Sequence, residues 1–151
     1  MVKFEIKKFY EFSIEELYAV LNLRAAVFVV EQKSVYLDLD FKDQSALHIL
    51  GFVDGELVGY SRIFKSKVCH KLASIGRIVI ASTYRKYGYG NDLLQFSIKA
   101  LEREYQEYDI HISAQLYLKK FYKSHGFIAL GEEYLEDGIP HIAMELIKNK
   151  D

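Results

Sequence analysis

Residues 74–94 read SIGRIVIASTYRKYGYGNDLL, and this stretch constrains the fold more than any other. A nearly continuous apolar run, of the kind that forms a strand buried on both faces, ends abruptly at residue 80. A turn follows that carries Arg85 and Lys86 and two glycines, Gly88 and Gly90. Beyond it Leu94, Ile98, Leu101 and Tyr105 recur at helical spacing, which predicts a helix over about 90–107. Strand, glycine turn and helix in that order make a unit whose helix N-terminus sits at the end of a buried strand. Unpaired N–H groups and the positive end of the helix dipole make such a place suited to phosphate. Glycine lets a bulky anion approach the main chain where a Cβ would block it.

Two phosphate motifs do not fit this turn. A Walker loop needs Gly-Lys-Ser/Thr, and Gly90 is followed by Asn91-Asp92. A dinucleotide fingerprint needs a small residue where Leu93 stands.

The flanking chain supplies the remaining layers. FEIKKF alternates as a strand does, and Ser13 with Glu16 forms a capping box for a helix predicted to run toward Phe28. HILGFV and ELVGYSRIF flank Asp54-Gly55, a tight hairpin signal. DIHISA reads as a short strand and QLYLKKFYKSHG as a short helix ended by Gly126. FIALGEEYL and HIAMELI are two last strands around EDGIP, which holds the only proline. The expected fold class is mixed α/β: a mostly antiparallel sheet with one parallel strand pair and helices on both faces. With 151 residues and no linker or repeat, residues 1–151 are expected to form one domain.

Composition narrows the function. Twenty basic and 21 acidic residues give a net charge of −1, so the basic excess of a nucleic-acid binder is missing. No apolar run approaches the roughly 18 residues of a membrane helix. The one cysteine, Cys69, cannot form an internal disulfide, which suits a reducing compartment, so a cytoplasmic location is expected. Its neighbour His70 does not make it a nucleophile, since adjacent side chains point apart. Asp38, Asp40 and Asp43 do not match a calcium loop, because Lys42 and Asp43 stand at the fifth and sixth positions; no metal is expected. These aspartates read as a solvated acidic loop that could attract a cationic amine.

Arg85, Gly88 and Gly90 form R-x-x-G-x-G after GRIVI and before an amphipathic helix. This resembles the acetyl-CoA motif of the GNAT superfamily of N-acetyltransferases. FYKSHGF resembles that family's late signature, and VFVVEQ and EDGIPHIAM resemble its ElaA-like branch. The resemblance spans about residues 4–147. It departs where Ser82 replaces a frequent proline and Gln115 a frequent asparagine.

The resemblance implies an acetyl-CoA co-substrate whose pyrophosphate is held by the backbone from Arg85 through Lys86, Tyr87, Gly88 and Tyr89 to Gly90, with Asn91 beside it. The strand at Ile78, Val79 and Ile80 would pair its main chain with the amide-bearing arm, and Gln115 would line the site. Lys86 and Lys123 would reach an outer phosphate. Tyr122 would protonate the departing thiolate, its ordinary pKa near 10 suiting a proton donor. His141 or Glu31, directly or through water, would take the amine's proton; a histidine near pKa 6.5 suits that task.

The acceptor is then a small-molecule or peptide amine. A non-catalytic acyl-CoA-binding or sensor module on the same fold, or transfer of a longer acyl group, are the alternatives. A homodimer through the aromatic-rich last hairpin is left open.

Overall fold

A computed structural model describes residues 1–148; of the single-domain expectation over 1–151, residues 149–151 lie outside the described ones. Seven strands form one sheet: β1 (Lys3–Lys8), β2 (Leu47–Val53), β3 (Glu56–Phe64), β4 (Ala73–Ile80), β5 (Ile110–Gln115), β6 (Ile128–Glu136) and β7 (Ile139–Leu146). Their order across the sheet is β1-β2-β3-β4-β5-β7-β6. All neighbours run antiparallel except β4 and β5. The parallel pair is the one joined by helix α2 (Tyr89–Tyr105), as a crossover connection requires. Helix α1 (Ile14–Arg24) follows β1, and α3 (Lys119–Ser124) precedes β6.

Strand alternation sends side chains into two cores, one on each face of the sheet. Ile49 and Ile63 join Leu94, Ile98 and Leu101 of α2 and Tyr122 of α3 on one face. Leu50 and Tyr60, one residue out of phase with them, join Val20 and Leu23 of α1 on the other. The mixed α/β fold with helices on both faces is therefore as the sequence predicts.

Three local features depart from that reading. Helix α1 ends at Arg24, and the chain continues to Glu31 as a π-helix, Ala25–Glu31, instead of stopping near Phe28. Wider π turns are rare and often accompany functional sites. QLYLKKFYKSHG is divided among the end of β5, a 3-10 turn at Leu116–Leu118 and α3. Most consequentially, β4 is not a regular strand. Tyr60 pairs with Val79 but Arg62 pairs with Gly76, so one extra residue is inserted opposite Ser61. Arg77 takes φ +50° there. This bulge reverses the phase of the strand: Ile75 faces the α2 core, while Val79 faces the α1 core, and Ile78 and Ile80 return to the α2 side.

The acidic loop is also corrected. Asp38 and Asp43 are buried and Asp40 is half-buried. Arg24 donates through Nε to Asp38 Oδ2 at 2.8 Å and through Nη1 to Asp43 Oδ1 at 2.8 Å. Arg62 donates to Asp43 Oδ1 at 2.8 Å and to both carboxylate oxygens of Asp40. Arg77 donates to Asp38 Oδ1 at 2.7 Å. The aspartates form a buried lattice with three arginines from α1, β3 and β4, so they are not a solvated lure for a cation. Burial alone would raise the Asp43 carboxyl, but the hydrogen bonds and charges of Arg24 and Arg62 outweigh it and hold it below its ordinary value. His48 completes the cluster. Its Nε2 donates to Asp43 O at 2.8 Å, leaving Nδ1 to accept from the Tyr60 hydroxyl at 2.5 Å.

Candidate active site

The parallel pair closes for only two positions, Ala73 opposite Ile110 and Ser74 opposite His111. Beyond Ser74 the strands diverge, and one edge of β4 is left without a strand partner among the described residues. A cavity of about 360 Å³ fills the wedge, with Ile75–Ile80 on one side and Ile112, Ser113 and Gln115 on the other. The space is held open from both directions. The bulge at Arg77 bends β4, and β5 is drawn to β7 through six residues, Ile110 to Gln115.

The N-terminus of α2 stands at the mouth. The chain runs from β4 through 3-10 turns at Ser82–Tyr87 to Gly88, whose φ of +75° places it in the left-handed region where a Cβ is strained. No side chain caps this helix end among the described residues. Gly90 lines the cavity, and a Cβ added there would meet nothing nearer than Phe121 at 3.9 Å. On β3, a Cβ added at Gly59 would lie 2.9 Å from Ile80 Cδ1, so the tip of the Ile80 side chain would have to shift to make room for one.

Nine of the sequence-predicted residues line the cavity: Glu31, Ile78, Val79, Ile80, Arg85, Gly90, Gln115, Tyr122 and His141. Lys86, Tyr87, Gly88, Tyr89 and Asn91 lie outside its lining, on the turn at the rim. Lys123 is exposed on α3. The Asn91 side chain is engaged elsewhere, accepting from His125 Nε2 at 2.8 Å and tying α2 to α3.

Arg85 and Glu31, nominated from the sequence for separate tasks, are bound to each other. The Arg85 guanidinium donates to both Glu31 carboxylate oxygens, at 2.5 and 3.1 Å. Its Nε donates to Ile80 O at 3.1 Å, which engages one main-chain acceptor at the end of β4. The π-helical segment carries Glu31 to this position. Gln32, next in the chain, exchanges two amide hydrogen bonds with Gln115 at 3.1 and 3.2 Å across the wedge.

Tyr122 is 6% exposed and lines the cavity, and its hydroxyl has no hydrogen-bond partner among the described residues. Desolvation in this apolar wall, with the Tyr117 phenol nearby, pushes its pKa well above the usual value and keeps the phenol protonated. At the other end, His141 Nδ1 lies 2.6 Å from Ile139 O and must donate to it. The other ring nitrogen, Nε2, lies 3.4 Å from Glu136 Oε2. Ser113 Oγ donates to Glu136 Oε1 at 3.2 Å.

Among the polar lining residues that were not anticipated are Gln32, Tyr36, Arg77, Glu136 and Asp137. Glu136 stands in the EDGIP turn that carries the sequence signature. Arg77 was hidden because nothing in GRIVI announces a bulge except a glycine before an arginine. Burial pushes the Tyr36 phenol up to about 12; Arg77 opposes this, and the Asp38 and Asp137 carboxylates add to it.

Comparison with known proteins bears on this geometry. Residues 11–148 match the family model described as the acetyltransferase (GNAT) domain. The chain is 41% identical over 136 residues to the protein ElaA of Escherichia coli, covering 89% of each chain. The crystal structure of Escherichia coli ElaA superposes with a TM-score of 0.89 at 38% identity, over 97% of this chain and 100% of the other. An acyl-CoA N-acyltransferase from Pseudomonas aeruginosa superposes with a TM-score of 0.91 at 36% identity, over the same shares. At 17% identity, a likeness of fold alone, the PaiA N-acetyltransferase of Thermoplasma acidophilum, solved with coenzyme A, gives a TM-score of 0.67 over 95% of this chain and 98% of that one.

Proposed function

The chain belongs to the GNAT acetyltransferase family, and from that premise we propose that it transfers the acetyl group of acetyl-CoA directly to a primary amine. The observation that carries the reading is the wedge itself. Among the described residues, a strand edge without a strand partner, a helix N-terminus with no side-chain cap and a Tyr122 hydroxyl with no hydrogen-bond partner converge on one cavity.

Each part has a chemical task. The free edge of β4 offers main-chain donors and acceptors to an amide-bearing arm, which is strand addition by a ligand. Backbone N–H groups at the start of α2 receive the pyrophosphate, and Gly88 and Gly90 leave it room. Arg85 turns from Glu31 to the phosphates, and that exchange frees the Glu31 carboxylate. Main-chain N–H groups near the bulge face the thioester oxygen as negative charge develops on it.

The amine nitrogen attacks the acyl carbon while the carbon–sulfur bond breaks. The nitrogen's proton passes to His141 Nε2, which shares it with Glu136, or to Glu31. The Tyr122 hydroxyl gives its proton to the departing thiolate, and solvent restores both groups. The phenol, held protonated by burial, is available as that acid at neutral pH. Among the described residues no helix is long and apolar enough to cross a membrane, and with the lone Cys69 the reading puts the enzyme in the cytoplasm.

The test is release of free coenzyme A thiol from acetyl-CoA and from a longer acyl-CoA, across a panel of primary amines. Amine-dependent release that is fastest with acetyl-CoA is expected. Faster release from the longer thioester would reassign the donor. Binding of both thioesters with no release for any amine would make the protein a sensor, not a catalyst.

A further inference from the structure

Arg77 stands where the backbone asks for a glycine. Its φ of +50° lies in the left-handed region, which strains a residue with a Cβ. The residue before it is a glycine, yet Gly76 takes no positive φ, and a Cβ added there would meet nothing within 4 Å. The chain thus places glycine where the backbone does not demand one and arginine where it does. Strain of this kind persists only where the surroundings hold it, and it gathers at functional sites.

The Arg77 side chain supplies the hold. Its Nε donates to Asp38 Oδ1 at 2.7 Å and its Nη2 to Asp38 O at 3.0 Å, so the guanidinium is forked onto one residue. It also lies over the Tyr36 ring, 5.8 Å from the centroid. Asp38 is buried and is fixed in turn by Arg24, the last residue of α1, which donates to Oδ2 at 2.8 Å and to Asp38 O at 3.2 Å. Because Arg24 already meets the Asp38 charge, Arg77 is not needed to neutralise it. The ladder to β3 does not steady this stretch, since its register breaks between Tyr60 and Arg62. Arg77 and its neighbours Ile78 and Val79 all line the cavity.

Donors stabilise an oxyanion only when they are aimed where its charge develops, so a misdirected donor costs rate and leaves ground-state binding intact. We propose that Arg77 is a positioning residue for acyl transfer: clamped on Asp38, its side chain holds the bulge in the left-handed turn that aims the neighbouring main-chain N–H groups at the thioester oxygen. This rests on the transferase reading for the chemistry but makes its own claim about how a bound thioester carbonyl is polarised.

Infrared spectroscopy of bound acetyl-CoA, isotopically labelled at the thioester carbonyl, reads that polarisation as a lowered stretching frequency and needs no acceptor. Thiol release at saturating amine gives kcat, and calorimetry gives the acetyl-CoA dissociation constant. Arg77→Gly accepts the left-handed φ but removes the clamp. It is expected to bind acetyl-CoA within about twofold of the unaltered protein, to lower kcat by about tenfold or more and to lose most of the carbonyl shift. Arg77→Lys keeps the charge but not the fork and is expected to fall between the two. Arg62→Met strips Asp40 and Asp43 but leaves the Arg77–Asp38 contact, so it is expected to lower the unfolding midpoint more than Arg77→Gly does and kcat less. If Arg77→Gly does not fold, Arg77→Lys decides alone, and a kcat and carbonyl band equal to the unaltered protein's would overturn the proposal. So would an Arg77→Gly kcat within about twofold of the unaltered protein's, a kcat that falls only in step with affinity or with the midpoint across the variants, or an unmoved carbonyl band. A carbonyl shift lost in Arg77→Gly, with no thiol release from any amine in the unaltered protein, would leave the clamp standing and remove the transferase reading instead.

Discussion

The arginine–aspartate cluster and the wedge are built from the same kinds of side chain, and Arg77 belongs to both. In the cluster nearly every donor meets an acceptor. Arg24, at 1% exposure, spends its guanidinium on Asp38 and Asp43, and only Arg62 Nε is left without a partner among the buried described atoms. In the wedge the reverse holds: among the described residues, the open edge of β4 has no strand partner and the Tyr122 hydroxyl no hydrogen-bond partner. A closed set of charges fixes a shape, and an open set waits for a ligand. The cluster binds the loop of residues 38–43 to β3 and β4 behind the bulge, and so holds rigid the wall against which the open groups are displayed.

Removing a polar group should therefore cost stability in one region and turnover in the other. The largest effect is expected from Arg24→Met, which strips the partner from two buried carboxylates. A loss of about 3–5 kcal/mol is expected, lowering the unfolding midpoint by on the order of 10 °C, measurable by calorimetry. A loss below about 1 kcal/mol would mean that Arg62 and Arg77 suffice alone.

Tyr122→Phe should do the opposite. It should lower the rate of thiol release about a hundredfold while moving the midpoint by no more than a degree or two, because the lost hydroxyl has no hydrogen-bond partner among the described residues. A large fall in stability with unchanged turnover would make Tyr122 a core residue only.

Acidification sharpens the contrast further. Burial lowers the His48 pKa below 6.5, so the unfolded chain takes up that proton first and stability falls as the pH drops below 6.5. A second loss is expected below about 3.8, the ordinary aspartate value. Burial opposes ionisation of Asp40 and Asp43 there, but the arginines hold both below that value, and their contribution disappears as the pH falls through the lowered pKa. Denaturant titrations between pH 4 and 8 would show the first slope, and His48→Gln should flatten it.

The smallest effect is expected from Glu31→Gln. The Arg85–Glu31 pair is about two-fifths exposed at each side chain, so breaking it frees Arg85 at little cost. Acyl-CoA should bind about two- to fivefold tighter, the range of an exposed ion pair, and weaker binding would show that Glu31 positions Arg85 for the ligand.

The sequence discloses what is local. Ser13 with Glu16 caps α1, Asp54-Gly55 turns the first hairpin, and apolar spacing marks α2, because each depends on residues a few positions apart. Arg85, Gly88 and Gly90 could be found for the same reason. What stayed hidden depends on distant partners. Asp38, Asp40 and Asp43 read as a solvated loop because their arginines stand at positions 24, 62 and 77. The bulge at Arg77 appears only as a shift in pairing with β3, and no composition rule announces it. Glu136 was in view within EDGIP, but its place beside His141 needed the register of β6 on β7.

The central claim is that the open groups of the wedge await an acyl-CoA. Calorimetric titration with acetyl-CoA, beside Gly88→Val, tests it without knowledge of the acceptor. One equivalent should bind with a dissociation constant in the micromolar range, and a folded Gly88→Val, strained at φ +75°, should bind far more weakly. No binding heat from the unaltered protein, or equal binding by both, would contradict the account.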